Sequence, residues 1–114
     1  MNVHEQIQYV EFLSTDLPRI KKFYQDAFNW NFTDYGPTYT AFDGKYVAGG
    51  FTDGEPVKGS ILIVLYSEKL EETLEKVKNA SGTIVKEIFS FPGGRRFHFT
   101  DPDGNELAVW SDKN

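Results

Sequence analysis

Cysteine is absent from the 114 residues, so the chain has no disulfide framework, no thiolate nucleophile and no thiolate-held zinc or iron–sulfur cluster. Positive charge is also scarce. Twelve Lys and Arg stand against 17 Asp and Glu, a formal charge of −5, the wrong sign for a protein that gains affinity by neutralising phosphates; no nucleic-acid partner is expected. No run of about 18 apolar residues occurs, and the opening MNVHEQ carries no basic stretch leading into an apolar one. We therefore expect no membrane partner and a cytoplasmic location. Missing as well are a glycine-rich phosphate loop, a nucleophile elbow and a His–Glu helix motif. Aromatic side chains, by contrast, are abundant: ten Phe, six Tyr and two Trp. That content argues for a packed core and against disorder, and the length leaves room for one domain, residues 1–114.

Periodicity divides the chain into two similar halves. Ile7–Leu13 alternates as a strand, with Ile7, Tyr9, Glu11 and Leu13 on one face. Asp16 is placed as an N-cap and Pro18 in the first turn of a helix over about 17–28, with Leu17, Ile20, Phe23, Tyr24, Ala27 and Phe28 on its apolar stripe. Short strands follow in NFTDY, TYTAF and KYVAGGF, the last two joined by an Asp43–Gly44 turn. Residues 53–59 (DGEPVKG) form a linker. The order then repeats: SILIVLY as a strand, Ser67 capping a helix with Leu70, Leu74 and Val77, Gly82 at its left-handed C-terminus, then TIVKEIF, RRFHF and ELAVW. Each half, about 5–53 and about 60–112, reads β-α-β-β-β, and the repeat is one of architecture.

A single βαβββ unit leaves one sheet face bare and its edge strands unpaired. Two units placed side by side with their helices outside remedy this. The fold expected is α+β, with two βαβββ modules forming a curved eight-stranded mixed sheet around a cup for a small ligand; a filled sandwich without a cavity is the alternative.

With that order, the segments YVEFLSTDLPRIKKFYQDAFNW and FHFTDPDGNELAVW make the chain resemble the vicinal oxygen chelate superfamily of glyoxalase I, bleomycin-resistance proteins and extradiol dioxygenases. The resemblance implies paired modules around a ligand cup, often in a homodimer. It also implies four metal-ligand positions, one in the first and one in the last strand of each module. Carried onto this sequence, they fall on Tyr9, Leu62, Tyr46 or Ala48, and Glu106. Only Glu106 has the expected type, so no metal centre of the family kind is expected. A displaced centre would have to use Glu11, His98 and Glu106.

Other residues are candidates in their own right. Glu11 lies in an apolar-flanked strand and is either desolvated in the cup, as a base or cation site, or a solvated charge. Tyr9 is a hydrogen-bond donor to a ligand or a core tyrosine. His98 is a ligand contact or a packed residue, depending on a hairpin register that reverses its face with a one-residue slip. Arg95 and Arg96 suit bidentate pairing with a carboxylate or phosphate, or are exposed turn residues. Trp30, Phe42, Phe51, Phe91, Phe97, Phe99 and Trp110 either wall the cup or fill the core. Trp110, four residues after Glu106, shares its face and suits a planar or cationic guest. DPDGN is read as a hairpin turn without further duty.

Two functions follow. The first is a binding protein of the glyoxalase/bleomycin-resistance type, without cofactor, sequestering an apolar or cationic small molecule at Tyr9, Glu11, Leu62, Arg96, His98 and Trp110. The second is a lyase, isomerase or dioxygenase using Zn, Ni, Fe or Mn while a carboxylate moves the proton; a metal-free enzyme with Glu106 or Glu11 as catalytic base is not distinguished from binding by the sequence.

Overall fold

Asp16 begins the first helix, two residues after the first strand ends at Ser14. Its side chain accepts a hydrogen bond from the backbone N–H of Arg19 at 3.1 Å, which satisfies one of the otherwise unpaired N-terminal donors, and Pro18 in the first turn removes another. The computed structural model describes residues 3–59 and 61–114, and in it module one runs β1 (Tyr9–Ser14), α1 (Leu17–Phe28), β2 (Phe32–Asp34), β3 (Tyr39–Phe42) and β4 (Ala48–Asp53). Module two repeats the order with β5 (Ile63–Tyr66), α2 (Leu70–Asn79), β6 (Thr83–Phe91), β7 (Gly94–Thr100) and β8 (Glu106–Ser111). Ser60, expected at the start of β5, lies outside the described residues. Asp43 and Gly44 lie within a longer connection between β3 and β4, not at a two-residue turn. Neither helix is long and apolar enough to cross a membrane.

The fold is α+β, with the eight strands shared between two four-stranded mixed sheets ordered β1-β4-β3-β2 and β5-β8-β7-β6. In each sheet the first strand of the module pairs in parallel with the last, and the other neighbours are antiparallel. The two sheets therefore share one wiring, as the repeat in the sequence implies.

Both helices press on the same side of the sheets and against each other. Ile20, Phe23, Tyr24 and Ala27 of α1 and Leu70, Leu74 and Val77 of α2 are buried in one core with Phe51, Phe97, Phe99, Leu107 and Val109. Phe23 and Phe28 approach Phe99 with ring centroids at 6.0 Å and 5.8 Å, so the aromatic core spans the two modules.

This decides between cup and core for the seven rings, and most of them are core. Phe42, Phe51, Phe97 and Phe99 are buried under the helices, and Trp30 stacks on Tyr24 and Phe42 at 4.7 Å and 4.5 Å. The cause is strand alternation: with Phe97 and Phe99 turned to the helices, only even-numbered residues of β7 reach the other face. Of the seven rings, Phe91 and Trp110 alone stand there.

A correction concerns the end of α2. The left-handed residue is Ser81, at φ 82°, and not Gly82. Gly82 is required for space: a Cβ there would lie 2.6 Å from Val77 Cγ1 and 2.9 Å from Phe23 Cε1. Gly82→Ala is accordingly expected to destabilise the fold by ~1–3 kcal/mol through overpacking where the helices meet, read as a lowered urea midpoint with unchanged slope.

Candidate functional site

The face turned away from the helices carries two polar clusters, one per module. In β1, Phe12 packs into the core, and alternation sends Tyr9, Glu11 and Leu13 to the other side. Gly50 of β4 pairs with Glu11 and with Ala41 of β3, which places the hydroxyls of Tyr9 and Tyr39 above it. A Cβ at Gly50 would meet those oxygens at 2.6 Å and 2.5 Å, so glycine is what lets them converge. Tyr39 Oη donates to Glu11 Oε1 at 3.0 Å, and its single proton being used there, Tyr9 Oη donates to Tyr39. Desolvation, followed by the bonds with Tyr9 and Glu11, holds the Tyr39 phenol above its ordinary pKa. Glu11 itself is exposed. Of its two possible states the solvated one is observed, and Tyr39 supplies the partner.

In module two, the register His98↔Ala108 and Thr100↔Glu106 puts His98 and Glu106 on one face as diagonal neighbours. His98 Nδ1 lies 2.8 Å from Glu106 Oε2. A carboxylate only accepts, so Nδ1 carries the proton. The imidazole is 4% exposed, Phe89 stacks on it at 5.9 Å, and its Nε2 has no partner among the described residues.

Between the two clusters lies a cleft of about 620 Å3, bounded by β1 on one side and by residues 56–59 and 61–62, the start of β5, β7 and β8 on the other. Glu11, Leu13, Leu62, Ile63, His98 and Glu106 are among its walls. The structure thus brings together Glu11, Leu62, His98 and Glu106 from four separate strands or connections. Tyr9 stands beside them through Tyr39. Arg96 and Trp110 face each other in register farther along the module-two sheet, outside this cleft.

The modules are fastened by the DPDGN turn, whose duty exceeds that of a hairpin. Asp103, with no side-chain exposure, accepts hydrogen bonds from Ser14 Oγ (2.6 Å), Thr15 N (3.0 Å), Thr15 Oγ1 (2.7 Å) and Arg19 Nη2 (2.7 Å). Asp101, buried, accepts from Tyr24 Oη at 2.9 Å and from the N–H groups of Asp103 and Asn105. Burial pushes the Asp101 carboxyl up. Burial acts the same way on Asp103, but the Ser14 and Thr15 bonds and the Arg19 charge outweigh it and hold that carboxyl below its usual range. The donors Ser14, Thr15 and Arg19 around the β1–α1 junction were the sequence signal for an acidic partner elsewhere in the chain.

The family model described as Glyoxalase/Bleomycin resistance protein/Dioxygenase superfamily matches residues 6–109. The chain belongs to this superfamily. Among solved structures, a glyoxalase-related enzyme from Fulvimarina pelagi superposes with a TM-score of 0.82 at 18% identity, over 94% of this chain and 88% of that one. Lactoylglutathione lyase from Agrobacterium tumefaciens gives 0.76 at 15% identity, over 94% and 93%. TioX from Micromonospora sp. ML1 gives 0.75 at 17%, over 94% and 98%. These likenesses concern the fold. No curated protein matches the sequence.

The donors at the superfamily's metal positions do not suit an ion. The Tyr9 hydroxyl is bonded to Tyr39, Leu62 offers no donor atom, Ala48 lies opposite Tyr9 with none either, and Tyr46 projects into solvent. Glu106 is engaged by His98. Among the described residues no three His, Cys, Asp or Glu side chains come together, and Glu11 is not grouped with the His98–Glu106 pair.

Proposed function

We propose that this chain is a small-molecule-binding protein of the glyoxalase/bleomycin-resistance type, which sequesters an apolar or cationic guest without the superfamily's metal. The observation that carries this reading is the cleft itself. Its walls are largely aliphatic, from Leu13, Val57, Ile61, Leu62 and Ile63, and its carboxylates, Glu11 and Glu106, come from opposite sides. Aliphatic walls desolvate a guest at ~25 cal/mol per Å2 of apolar area covered. Two carboxylates lining one largely apolar cleft favour a cationic guest, and the net charge of −5 draws one in. Glu11 is held in place by Tyr39 and Glu106 by His98, so neither carboxylate needs to reorganise on binding. A homodimer belongs to this reading, on the resemblance and on the exposed Val64 and Tyr66 of β5.

Titration calorimetry with 2-naphthylmethylammonium tests it. The protein, dialysed against a chelator, is expected to bind this amine more tightly than the neutral 2-naphthamide, and the double change Glu11→Gln, Glu106→Gln to lower affinity about tenfold or more, the scale of losing charge-assisted contacts. Equal binding of amine and amide would overturn the reading. So would a stoichiometric transition ion, retained on purification and lost with Glu106→Gln, which would make the chain a metal-dependent catalyst.

A further inference from the structure

We propose that Arg96 and the rings around it form an anion subsite, distinct from the cleft, that takes the carboxylate of an aromatic small molecule. Arg96 stands on the helix-free face of β7, with its guanidinium carbon 5.5 Å from the centre of the Phe89 ring and 5.7 Å from that of Phe91. Trp110 is its register partner on β8. Phe91 approaches Trp110 at 6.4 Å, and Tyr66 on β5 meets the other side of that indole at 5.3 Å. The cation is therefore set among apolar walls and partly desolvated, where an unpaired charge is costly.

Yet nothing in the fold pairs with it. Among the described residues Arg96 makes no ion pair with a carboxylate, and its Nε is buried without a hydrogen-bond partner. Its neighbour Arg95 has a buried, unpartnered Nε as well, but on the opposite face of the strand its guanidinium grips both oxygens of Glu71 at the start of α2. The carboxylates of the cleft do not serve Arg96 either. Glu106 is engaged by His98, two residues along β7, and makes no ion pair with Arg96.

Two local devices build the place. A register shift in β6, where Lys86 pairs with His98 but Phe89 with Arg96, inserts one extra residue and brings Phe89 onto this face, while Ile88 packs into the core. Gly94 lets β7 approach β8 closely beside Trp110, since a Cβ there would lie 2.2 Å from Ser111 O and 3.3 Å from the Trp110 ring. A planar guest carboxylate meets the guanidinium fork by paired N–H···O bonds, and its ring stacks against Trp110 or Phe91. In a chain of charge −5, an anion has little reason to settle except where such a site recognises it.

The probe is 2-naphthoate, with 2-naphthamide as its uncharged counterpart, followed by calorimetry and by the indole N–H resonances of the two tryptophans. The expected result is at least a tenfold preference for the carboxylate, a shift of the Trp110 resonance with that of Trp30 unmoved, loss of binding in Arg96→Gln, and partial retention in Arg96→Lys, which keeps the charge without the fork. Arg95→Gln should bind as the parent does. Binding unchanged in Arg96→Gln, equal affinity for the amide, or a shift confined to Trp30 would overturn the proposal. So would absence of naphthoate binding together with an Arg96-dependent dimer, which would make the counter-charge a side chain of a second copy. The two readings fail separately. Loss of amine binding with naphthoate binding intact condemns the cleft alone, and the reverse condemns the Arg96 subsite alone.

Discussion

Asp103→Ala is expected to cost about 3 kcal/mol of stability, the scale of removing a buried, multiply hydrogen-bonded carboxylate and leaving its donors without a partner. Ser14, Thr15 and Arg19 all belong to module one, and Asp103 to module two, so the loss falls on the joint between the modules. Urea unfolding should show a lowered midpoint. The same residue sets an acid dependence. The folded carboxyl is depressed below its unfolded value, ~3.9 in model peptides, so its stabilisation is complete above that pH and disappears as pH falls through the folded value. Asp101 acts oppositely: its folded carboxyl is raised, chiefly by burial, so its ionisation subtracts stability as pH rises through that range. Asp103→Ala should therefore make the acid-induced loss shallower, what remains coming from the depressed carboxyls of Asp34, Glu71 and Asp112 against the opposite slope of Asp101. Denaturation midpoints taken below and above about pH 4 would show this as a smaller drop on acidification than in the parent; a parallel downward shift at every pH would count against the depressed carboxyl.

Phe99→Ala is the second large effect, at ~3–5 kcal/mol for deleting a buried aromatic side chain and leaving a cavity. Phe99 is fully buried, and it meets Phe23 and Phe28 of module one as well as Phe97 of its own strand. Against total stabilities of ~5–15 kcal/mol for small domains, that is a large part of the whole. The consequence reaches the site because Phe99 and His98 are adjacent in β7 and point to opposite faces. Slackening the strand from beneath should loosen the His98–Glu106 bond, visible as a change in the His98 ring resonances. The more conservative Phe99→Leu should keep most of both. If Phe99→Ala unfolds with an unchanged midpoint, the shared aromatic core is not what holds the modules together.

The bounds of α1 were legible because three local signals coincide there: the Asp16 cap, Pro18 and an apolar stripe that repeats with helical period. The strands were legible from alternation, and the modular order from its repetition. Within a strand, alternation also told which residues share a face, and so paired Tyr9 with Glu11 and Glu106 with Trp110. It could not say which face meets the helices. For that reason Phe42, Phe51, Phe97 and Phe99, plausible as cup walls by composition, turned out to be core. Gly82 was recognised as special but for the wrong cause, since a left-handed position is a local property and a close approach by Phe23 is not.

Sequence alone, then, determined the elements, their order, the two-module plan and the poverty of metal donors at Tyr9 and Leu62, because each depends on neighbours a few residues apart or on the side chain itself. Only tertiary structure decided that His98 meets Glu106, that Tyr39 supports Glu11, that the bulge in β6 carries Phe89 to Arg96, and that Asp103 ties the modules. These rest on register and on contacts between residues as many as 89 positions apart, as Ser14 and Asp103 are. A one-residue slip in pairing inverts every face of a strand, and nothing local in the chain penalises that slip; the packed core beneath the sheets does.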